Sequence, residues 1–133
     1  MKVTPTLTLI RGIPGSGKST AAKQRDARHF EADMFFVTEQ GAYQFDPLKL
    51  KQAHQWCYEQ TQLALQQGED VVVSNTFVRR WEIMPYFQLA KQLNAKFEVL
   101  VCSGEFDSIH GVEPATINNM KARWQTWRNE RQL

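Results

Sequence analysis

Residues 12–20 read Gly12-Ile13-Pro14-Gly15-Ser16-Gly17-Lys18-Ser19-Thr20, and this stretch decides the fold of the chain. It contains two glycines five positions apart, followed by a lysine and a hydroxyl residue, which is the pattern of a phosphate-binding P-loop. The β-branched and apolar run 6–10 precedes the loop, and a helical pattern follows it. Because phosphate binding needs this strand, loop and helix order, we expect the stretch to hold the phosphates of ATP or a close relative.

Each fixed position of the loop has a chemical role. Glycine lets the backbone bend around a phosphate with its N–H groups inward, where a Cβ would block the approach. Lys18 supplies charge to the β- and γ-phosphates, and the Ser19 hydroxyl can ligate Mg²⁺. The alternative is a Gly-rich turn with a surface lysine, but a chance match occurs in only about half a per cent of chains this long. The predicted ATP contacts are Gly12, Pro14, Gly15, Ser16, Gly17, Lys18, Ser19 and Thr20.

Length and composition fit one domain. The chain has 133 residues, of which 42% are hydrophobic and 23% charged, so we expect residues 1–133 to form a single globular unit. The formal net charge of +2 argues against general electrostatic binding of nucleic acid and leaves a local basic groove open. Residues 1–10 do not read as a secretory signal, and no apolar run is long enough to span a membrane. We therefore expect a cytoplasmic protein with no membrane partner and with free thiols at Cys57 and Cys102.

Strands and helices are predicted to alternate along the chain. The predicted strands are 6–10, 31–36, 71–73 and 96–102, and the predicted helices are 19–28, 48–67, 81–93 and an amphipathic closing helix from 114 that includes Trp124 and Trp127. This order predicts an α/β protein with the three-layer α/β/α P-loop NTPase fold and a short parallel sheet of about four to five strands. Ligands of such folds bind at the carboxyl ends of the strands.

Several features beyond the loop point to a known family. They are Ala32-Asp33 with following aromatics, Gly41-Ala42-Tyr43-Gln44-Phe45, Ala53-His54-Gln55-Trp56, Asn75-Thr76 with Trp81-Glu82 and Pro85-Tyr86, and His110-Gly111-Val112 with Met120 and Arg123-Trp124. In this order they resemble the P-loop kinases of the polynucleotide 5′-hydroxyl kinase group, in particular the kinase-like domains of the Nedd-four-binding protein two group. The resemblance implies ATP and Mg²⁺ as cofactors and transfer of the γ-phosphate to a hydroxyl acceptor, such as a nucleic-acid 5′-OH or a nucleoside.

The same resemblance implies roles for individual residues. Asp33 would be the carboxylate that activates the acceptor, since the attacking hydroxyl must lose its proton; a turn or capping aspartate is the alternative. His54 could contact the substrate or be a hydrogen-bonded structural histidine, whereas Trp56 is expected in the core. Asn75 could contact the substrate or hold the phosphate loop, and we expect a site role for it.

The metal site departs from the usual P-loop pattern. Many P-loop enzymes end the third strand with an aspartate that holds Mg²⁺ through water, but here that position is Ser74. Glu69 and Asp70 lie at the wrong end of the strand. Mg²⁺ would then depend on Ser19, on the phosphates and on help from Asp33. Two further carboxylates, Asp26 and Glu31, are less well placed.

The lid segment, which supplies an arginine to the transferred phosphoryl group in phosphotransferases of this group, also departs from the usual pattern. Residues 96–121 contain no arginine, and the segment 103–113 reads as a short acidic lid with Glu105 and Asp107. Arg79 and Arg123 are the predicted catalytic substitutes that would stabilise the transferred phosphoryl group, and Arg80 is a predicted substrate contact. The alternative for Arg79 and Arg80 is that they are merely exposed residues at the start of a helix. The alternative for Arg123 is packing beside Trp124.

Three functions remain open on the sequence. The first is a kinase with ATP·Mg²⁺ in the loop and Asp33 as base. The second is a nucleotide-binding module with little or no turnover that acts through a partner, suggested by Ser74 and the lid without arginine. The third is nucleic-acid binding without chemistry, which draws on Lys23, Arg25 and Arg28 and is the least favoured. The choice between ATP and GTP and the oligomeric state stay open.

Overall fold

A computed structural model describes residues 4–104 and 112–133 of the chain. Its strands are β1 (Thr6–Arg11), β2 (Arg28–Phe30), β3 (Val71–Asn75), β4 (Lys96–Val101) and β5 (Arg131–Gln132). Its α-helices are α1 (Lys18–Lys23), α2 (Leu50–Gln66), α3 (Arg80–Gln92) and α4 (Pro114–Arg123), with 3₁₀ helices at Ala32–Phe36 and Pro47–Lys49. The five strands form one parallel sheet in the order β2-β3-β1-β4-β5. This confirms the predicted α/β class and the P-loop NTPase fold.

Strand β1 lies at the centre of the sheet and is buried on both faces. Leu7 and Leu9 pack into the larger core, which is shared with α2 and α3. Ile10 points to the other face and packs with Ala22 of α1 in a smaller core. Because successive side chains of a strand face opposite sides, a strand covered on both faces reads as a continuous apolar run.

The register of the strands sets the position of the site. Ile10 pairs with Ser74 and Arg11 pairs with Asn75, while Phe30 at the end of β2 pairs with Val73. The loops that follow β1, β2 and β3 therefore leave the sheet side by side, at what we call the carboxyl edge. The Gly12 N–H donates to the Thr76 carbonyl at 3.3 Å, which joins the start of the phosphate loop to the segment after β3.

The predicted second strand was wrong. The strand is Arg28–Phe30, and most of the predicted stretch 31–36 forms a 3₁₀ helix instead. Its apolar side chains Ala32 and Phe36 pack against Ala53 of α2 rather than continuing in the sheet. The Ala32 N–H also donates to the Asn75 side chain, which draws the backbone into a turn. The first helix is correspondingly shorter than predicted and ends at Lys23.

The predicted closing helix was too long. Helix α4 ends at Arg123, and Trp124 instead lies over the Arg11 guanidinium at 3.9 Å from the ring centre. Trp127 packs against the rings of Phe87 and Phe97. The chain then forms β5 beside β4, a strand that the sequence did not indicate. Lid residues Glu105 and Asp107, and His110-Gly111 of the resemblance, lie outside the described residues.

Arg11 joins β1 to this C-terminal segment. Its guanidinium is fully buried and donates to the backbone carbonyls of Phe77, Val78 and Gln125. It also forms an ion pair with Glu130 at 2.6 Å. Burial lowers the pKa of Arg11, and the hydrogen bond that Arg11 donates to Glu130 opposes that effect. A charge this deeply buried is tolerated because nearly all its donors are satisfied.

None of the described helices combines the length and the apolar character needed to cross a bilayer.

Candidate functional site

The phosphate loop occupies residues 12–17, between β1 and α1. Gly15 and Gly17 have φ angles of 83° and 94°, in the left-handed region that glycine adopts without strain. Gly12 has no such angle, but a Cβ there would lie 2.3 Å from the Ser16 Oγ and 2.7 Å from the Cys102 carbonyl oxygen. The loop is thus packed against the end of β4 so closely that only glycine fits at its first position.

Two polar groups of the loop fit a phosphate ligand. The Ser16 hydroxyl is buried and has no hydrogen-bond partner within the described part of the chain, which is costly for a buried polar atom. The Lys18 ammonium donates to the Ile13 carbonyl at 3.3 Å. Burial lowers the pKa of Lys18, while the nearby carboxylates Glu31 and Asp33 oppose that effect. An anion in the loop would supply acceptors to the Ser16 hydroxyl and to the Lys18 ammonium.

The surroundings of Ser19 fit a magnesium ion that is shared with a nucleotide. Among residues 4–104 and 112–133, no three His, Cys, Asp or Glu side chains form a group that could hold a metal ion. Mg²⁺ commonly keeps several waters and binds through one or two protein oxygens plus phosphates, so such a group is not required. Ser19 supplies a hydroxyl oxygen, and the Glu31 carboxylate accepts a hydrogen bond from it.

Glu31 lies in a hydrogen-bonded cluster with His29 and Ser74, which we call the Glu31 cluster. Its Oε1 accepts from the Ser74 hydroxyl at 2.9 Å and lies 3.0 Å from the His29 Nε2. The His29 Nε2 is also 2.6 Å from the Ser74 Oγ. Burial opposes ionisation of Glu31, but hydrogen bonds from His29, Ser19 and Ser74 outweigh it and lower the pKa to about 2. The carboxylate is therefore ionised at neutral pH.

The sequence analysis ranked Glu31 below Asp33 as a candidate site residue. The structure shows why the sequence contained little indication of a role for Glu31. Glu31 and Ser74 are 43 positions apart in the chain. They meet only because β2 and β3 are neighbours, and the order of strands in the sheet could not be read from the sequence. The ranking also rested on a second strand that was predicted in the wrong place.

Asp33 lies in the first turn of the 3₁₀ helix, half-buried at the carboxyl edge. Its charge opposes the lowering of the Lys18 pKa. The Tyr43 hydroxyl donates to the Asp33 Oδ1 at 3.3 Å. Burial, the charge of Asp33 and this hydrogen bond raise the pKa of Tyr43 to about 12, so the phenol remains a donor.

An aromatic pair lies beside Asp33. The rings of Tyr43 and Phe45 are stacked at 11° with their centres 6.5 Å apart. Both rest on the buried ring of Phe36, at 6.3 and 5.0 Å. Their side chains are nevertheless 42% and 49% exposed. Phe45 therefore presents part of its ring to solvent, in the segment that carries the Tyr43 contact with the candidate catalytic carboxylate.

Asn75 has its amide engaged inside the protein. The Oδ1 accepts from the Ala32 N–H at 2.9 Å, and the Nδ2 lies 3.8 Å from the Cys57 Sγ. Asn75 thus fixes the start of the 3₁₀ helix that carries Asp33. Its predicted contact with the substrate stays a prediction.

The remaining predicted residues outside the loop are exposed side chains. His54 is exposed on α2, Arg79 is exposed just before α3, and Arg123 is exposed at the end of α4. The Arg80 guanidinium donates to the Thr126 carbonyl at 2.7 Å, so this side chain is held by the C-terminal segment. Thr20 is exposed on α1. The site roles of these residues stay predictions.

A groove of about 860 Å³ lies at the amino ends of the strands, opposite the carboxyl edge. It is lined by the first residues of β1, β3 and β4 and by the segment 24–27, and it contains the ion pairs of Glu98 with Arg25 and Arg131. The phosphate loop has no part in it. The chemistry described above therefore belongs to the carboxyl edge and not to this groove.

Comparisons with known proteins identify the family. The family model described as AAA domain matches residues 7–105, which is more than half of the chain. NEDD4-binding protein 2 of Homo sapiens is 29% identical over 137 residues, and the match covers 90% of this chain and 8% of that protein. An uncharacterised protein of Pasteurella multocida (strain Pm70) is 31% identical, with 86% of this chain and 74% of the relative covered. The chain thus spans only a small part of the human relative.

Solved structures share the fold at low identity. A chain of the Pnkp1/Rnl/Hen1 RNA repair complex matches with a TM-score of 0.69 and 16% identity, over 92% of this chain and 45% of that one. The APS kinase CysC of Mycobacterium tuberculosis, in complex with AMPPNP and APS, matches with a TM-score of 0.62 and 15% identity, over 98% and 88%. Kti12 of Chaetomium thermophilum, in complex with ADP-AlF3, gives 0.66 and 15%, over 96% and 88%. The chain belongs to the AAA domain family, and its fold is that of the kinase-like P-loop NTPases.

Proposed function

We propose that the chain transfers the γ-phosphate of ATP to a hydroxyl acceptor, with a nucleic-acid 5′-OH or a nucleoside as the acceptor class. One observation carries this proposal. The phosphate loop with Lys18 and the 3₁₀ helix with Asp33 both follow strands that end at the carboxyl edge of the same sheet, and the charge of Asp33 acts on Lys18. Phosphoryl transfer needs a cation at the phosphates and a base at the acceptor, and this edge offers both.

The reaction can be assigned to residues of this chain. Loop N–H groups and the Lys18 ammonium bind the β- and γ-phosphates, and bound Mg²⁺ would neutralise further charge on them. Asp33 accepts the proton of the acceptor hydroxyl while the hydroxyl oxygen bonds to the γ-phosphorus. At the same time the bond between that phosphorus and the β,γ-bridging oxygen breaks, and ADP leaves. The Tyr43 hydroxyl orients the carboxylate through the bond at 3.3 Å.

The aromatic pair supports an acceptor that carries a nucleobase. Phe45 is 49% exposed and lies beside Tyr43, whose hydroxyl donates to Asp33, so a nucleobase stacked on Phe45 would lie close to this carboxylate. Aromatic side chains bind bases of any sequence because every base has a π-face. One structural neighbour is part of an RNA repair complex, which agrees with this acceptor class.

A second candidate function is a nucleotide-binding module with little or no turnover. The end of β3 carries Ser74 in place of a carboxylate, and residues 96–121 lack an arginine that could stabilise the transferred phosphoryl group. Such a module would bind ATP through the same loop and act through a partner.

A transfer assay separates the two functions. The protein is incubated with Mg²⁺ and γ-labelled ATP against 5′-OH DNA and RNA oligonucleotides, nucleosides and simple alcohols. We expect label on the oligonucleotides or nucleosides and none on oligonucleotides that already carry a 5′-phosphate. ATP binding without transfer to any acceptor would contradict the kinase and favour the binding module.

The variant Lys18→Ala tests nucleotide binding itself. Loss of a charge-assisted hydrogen bond to phosphate is expected to weaken the affinity for AMPPNP by about 10- to 100-fold, measured by isothermal titration calorimetry. Lys23→Ala is the matched control, because Lys23 is exposed at the other end of α1. Equal affinities of wild type and Lys18→Ala would contradict the proposed phosphate site.

The variant Phe45→Ala tests the aromatic surface. A stacked base contributes about 1–3 kcal/mol, so we expect the KM for the oligonucleotide or nucleoside acceptor to rise by about 5- to 100-fold, with AMPPNP affinity unchanged. Leu48→Ala is the control, since Leu48 is 92% exposed in the same segment. An unchanged acceptor KM in folded Phe45→Ala protein would show that the acceptor does not stack there.

A further inference from the structure

The end of β3 lacks the carboxylate that P-loop proteins commonly use for their metal. Ser74 occupies the place, 2% exposed, and pairs in register with Ile10, two residues before the phosphate loop. Glu69 and Asp70 precede β3 and lie at the other end of the strand. A carboxylate for the nucleotide's metal would therefore have to come from another element.

We propose that Glu31, at the end of β2, supplies the carboxylate for the Mg²⁺ that accompanies the nucleotide. Ser74 and His29 are positioning residues that hold Glu31 in this role. This role rests on the proposed nucleotide binding. It gives the metal a carboxylate at a position where the usual P-loop pattern has none.

The order of the strands places Glu31 beside Ser74, the β3 position at which the usual carboxylate is missing. Strands β2 and β3 are parallel neighbours with Phe30 opposite Val73, so Glu31, directly after β2, lies at the level of Ser74, the next residue of β3. The Ser74 hydroxyl donates to the Glu31 Oε1 at 2.9 Å. The longer side chain of Glu31 thus places its carboxylate beside the Ser74 hydroxyl.

The surroundings of the carboxylate suit a metal role. The Ser19 hydroxyl, the expected Mg²⁺ ligand, interacts with Glu31, and the charge of Glu31 acts on Lys18. The contacts with His29 at 3.0 Å and with Ser74 at 2.9 Å both involve Oε1, so the orientation is fixed while the second oxygen retains its acceptor capacity.

The test measures metal binding rather than transfer. The protein is saturated with AMPPNP, and the affinity for Mg²⁺ is measured by calorimetry and that for Mn²⁺ by electron paramagnetic resonance. In E31Q we expect the metal to bind about 10- to 100-fold more weakly, as when other residues that support a metal site are removed. The affinity for AMPPNP without metal should stay within about twofold of wild type, because Lys18 and the loop are intact.

Two further variants sharpen the result. E69Q removes a carboxylate at the opposite end of β3, where Glu69 pairs with Arg28, and should leave metal affinity unchanged. E31Q/S74D moves the carboxylate to the end of β3 and should restore metal affinity, a recovery that supports the proposal even where E31Q alone is too unstable to measure. Wild-type metal affinity in folded E31Q overturns the role of Glu31. Absence of AMPPNP binding by the wild type would instead refute the proposed function.

Discussion

Replacing Arg11 with methionine is expected to lower the free energy of unfolding by about 3–5 kcal/mol, the usual cost of removing one partner of a buried ion pair. Methionine keeps most of the volume but leaves Glu130, whose side chain is 12% exposed, without its cation. It also removes the donors that satisfy the carbonyls of Phe77, Val78 and Gln125. Urea unfolding followed by tryptophan fluorescence measures the change.

Arg131→Ala is the matched control for this loss. Arg131 also forms an ion pair at 2.6 Å, with Glu98, but its side chain is 68% exposed. An exposed pair contributes about 1 kcal/mol or less. A loss below about 1 kcal/mol in Arg11→Met as well would show that the buried network does not hold the C-terminal segment.

Replacing Asp33 with asparagine is expected to slow transfer by about 100-fold or more, because asparagine cannot accept the acceptor's proton. The change keeps the size of the side chain and an oxygen that can accept from the Tyr43 hydroxyl. The affinity for AMPPNP should stay within about twofold of wild type. Single-turnover transfer of γ-labelled phosphate measures the chemical step apart from product release.

Glu39→Gln provides the comparison for Asp33→Asn, since Glu39 is an exposed carboxylate in the same segment. It should transfer at the wild-type rate. Intact transfer in Asp33→Asn would make the assignment of the base wrong while leaving the phosphate loop untouched.

The sequence predicted best what depends on neighbours in the chain. The phosphate loop, the strand before it and the helix after it are set by local residue types, and Gly17, which the motif fixes, has the left-handed φ angle that glycine allows. The parallel sheet followed from the alternation of strands and helices, which needs no long-range information. The predicted sheet of about four to five strands agrees with the five observed.

The errors arose where a distant contact decides the local structure. Phe35 and Phe36 have the aromatic character of a strand, yet they pack against each other and against α2, and Asn75 turns the chain at Ala32. Helix α4 has the pattern to continue, but Trp124 leaves it to cover Arg11. Propensity is a weak prior against such tertiary contacts.

The candidate site was likewise predicted well where the local sequence is sufficient and poorly where a distant contact is needed. Lys18 and Asp33 were predicted from the motif and the resemblance, and the structure brings them to one edge. Glu31 was undervalued, because its position beside Ser74 follows from the order of strands in the sheet. Tyr43 and Phe45 were noted as part of the resemblance but were given no site role, since they stack only after the loop has folded back on Phe36.

The buried network of Arg11 has a consequence for synthesis on the ribosome. Arg11 is made early, whereas Gln125 and Glu130 follow 114 and 119 positions later. A nascent chain that already contains residues 12–20 therefore lacks the carboxylate that neutralises the cation next to them. Domains generally fold as units during translation, so we expect nascent chains to gain ATP affinity only after residue 130 has emerged.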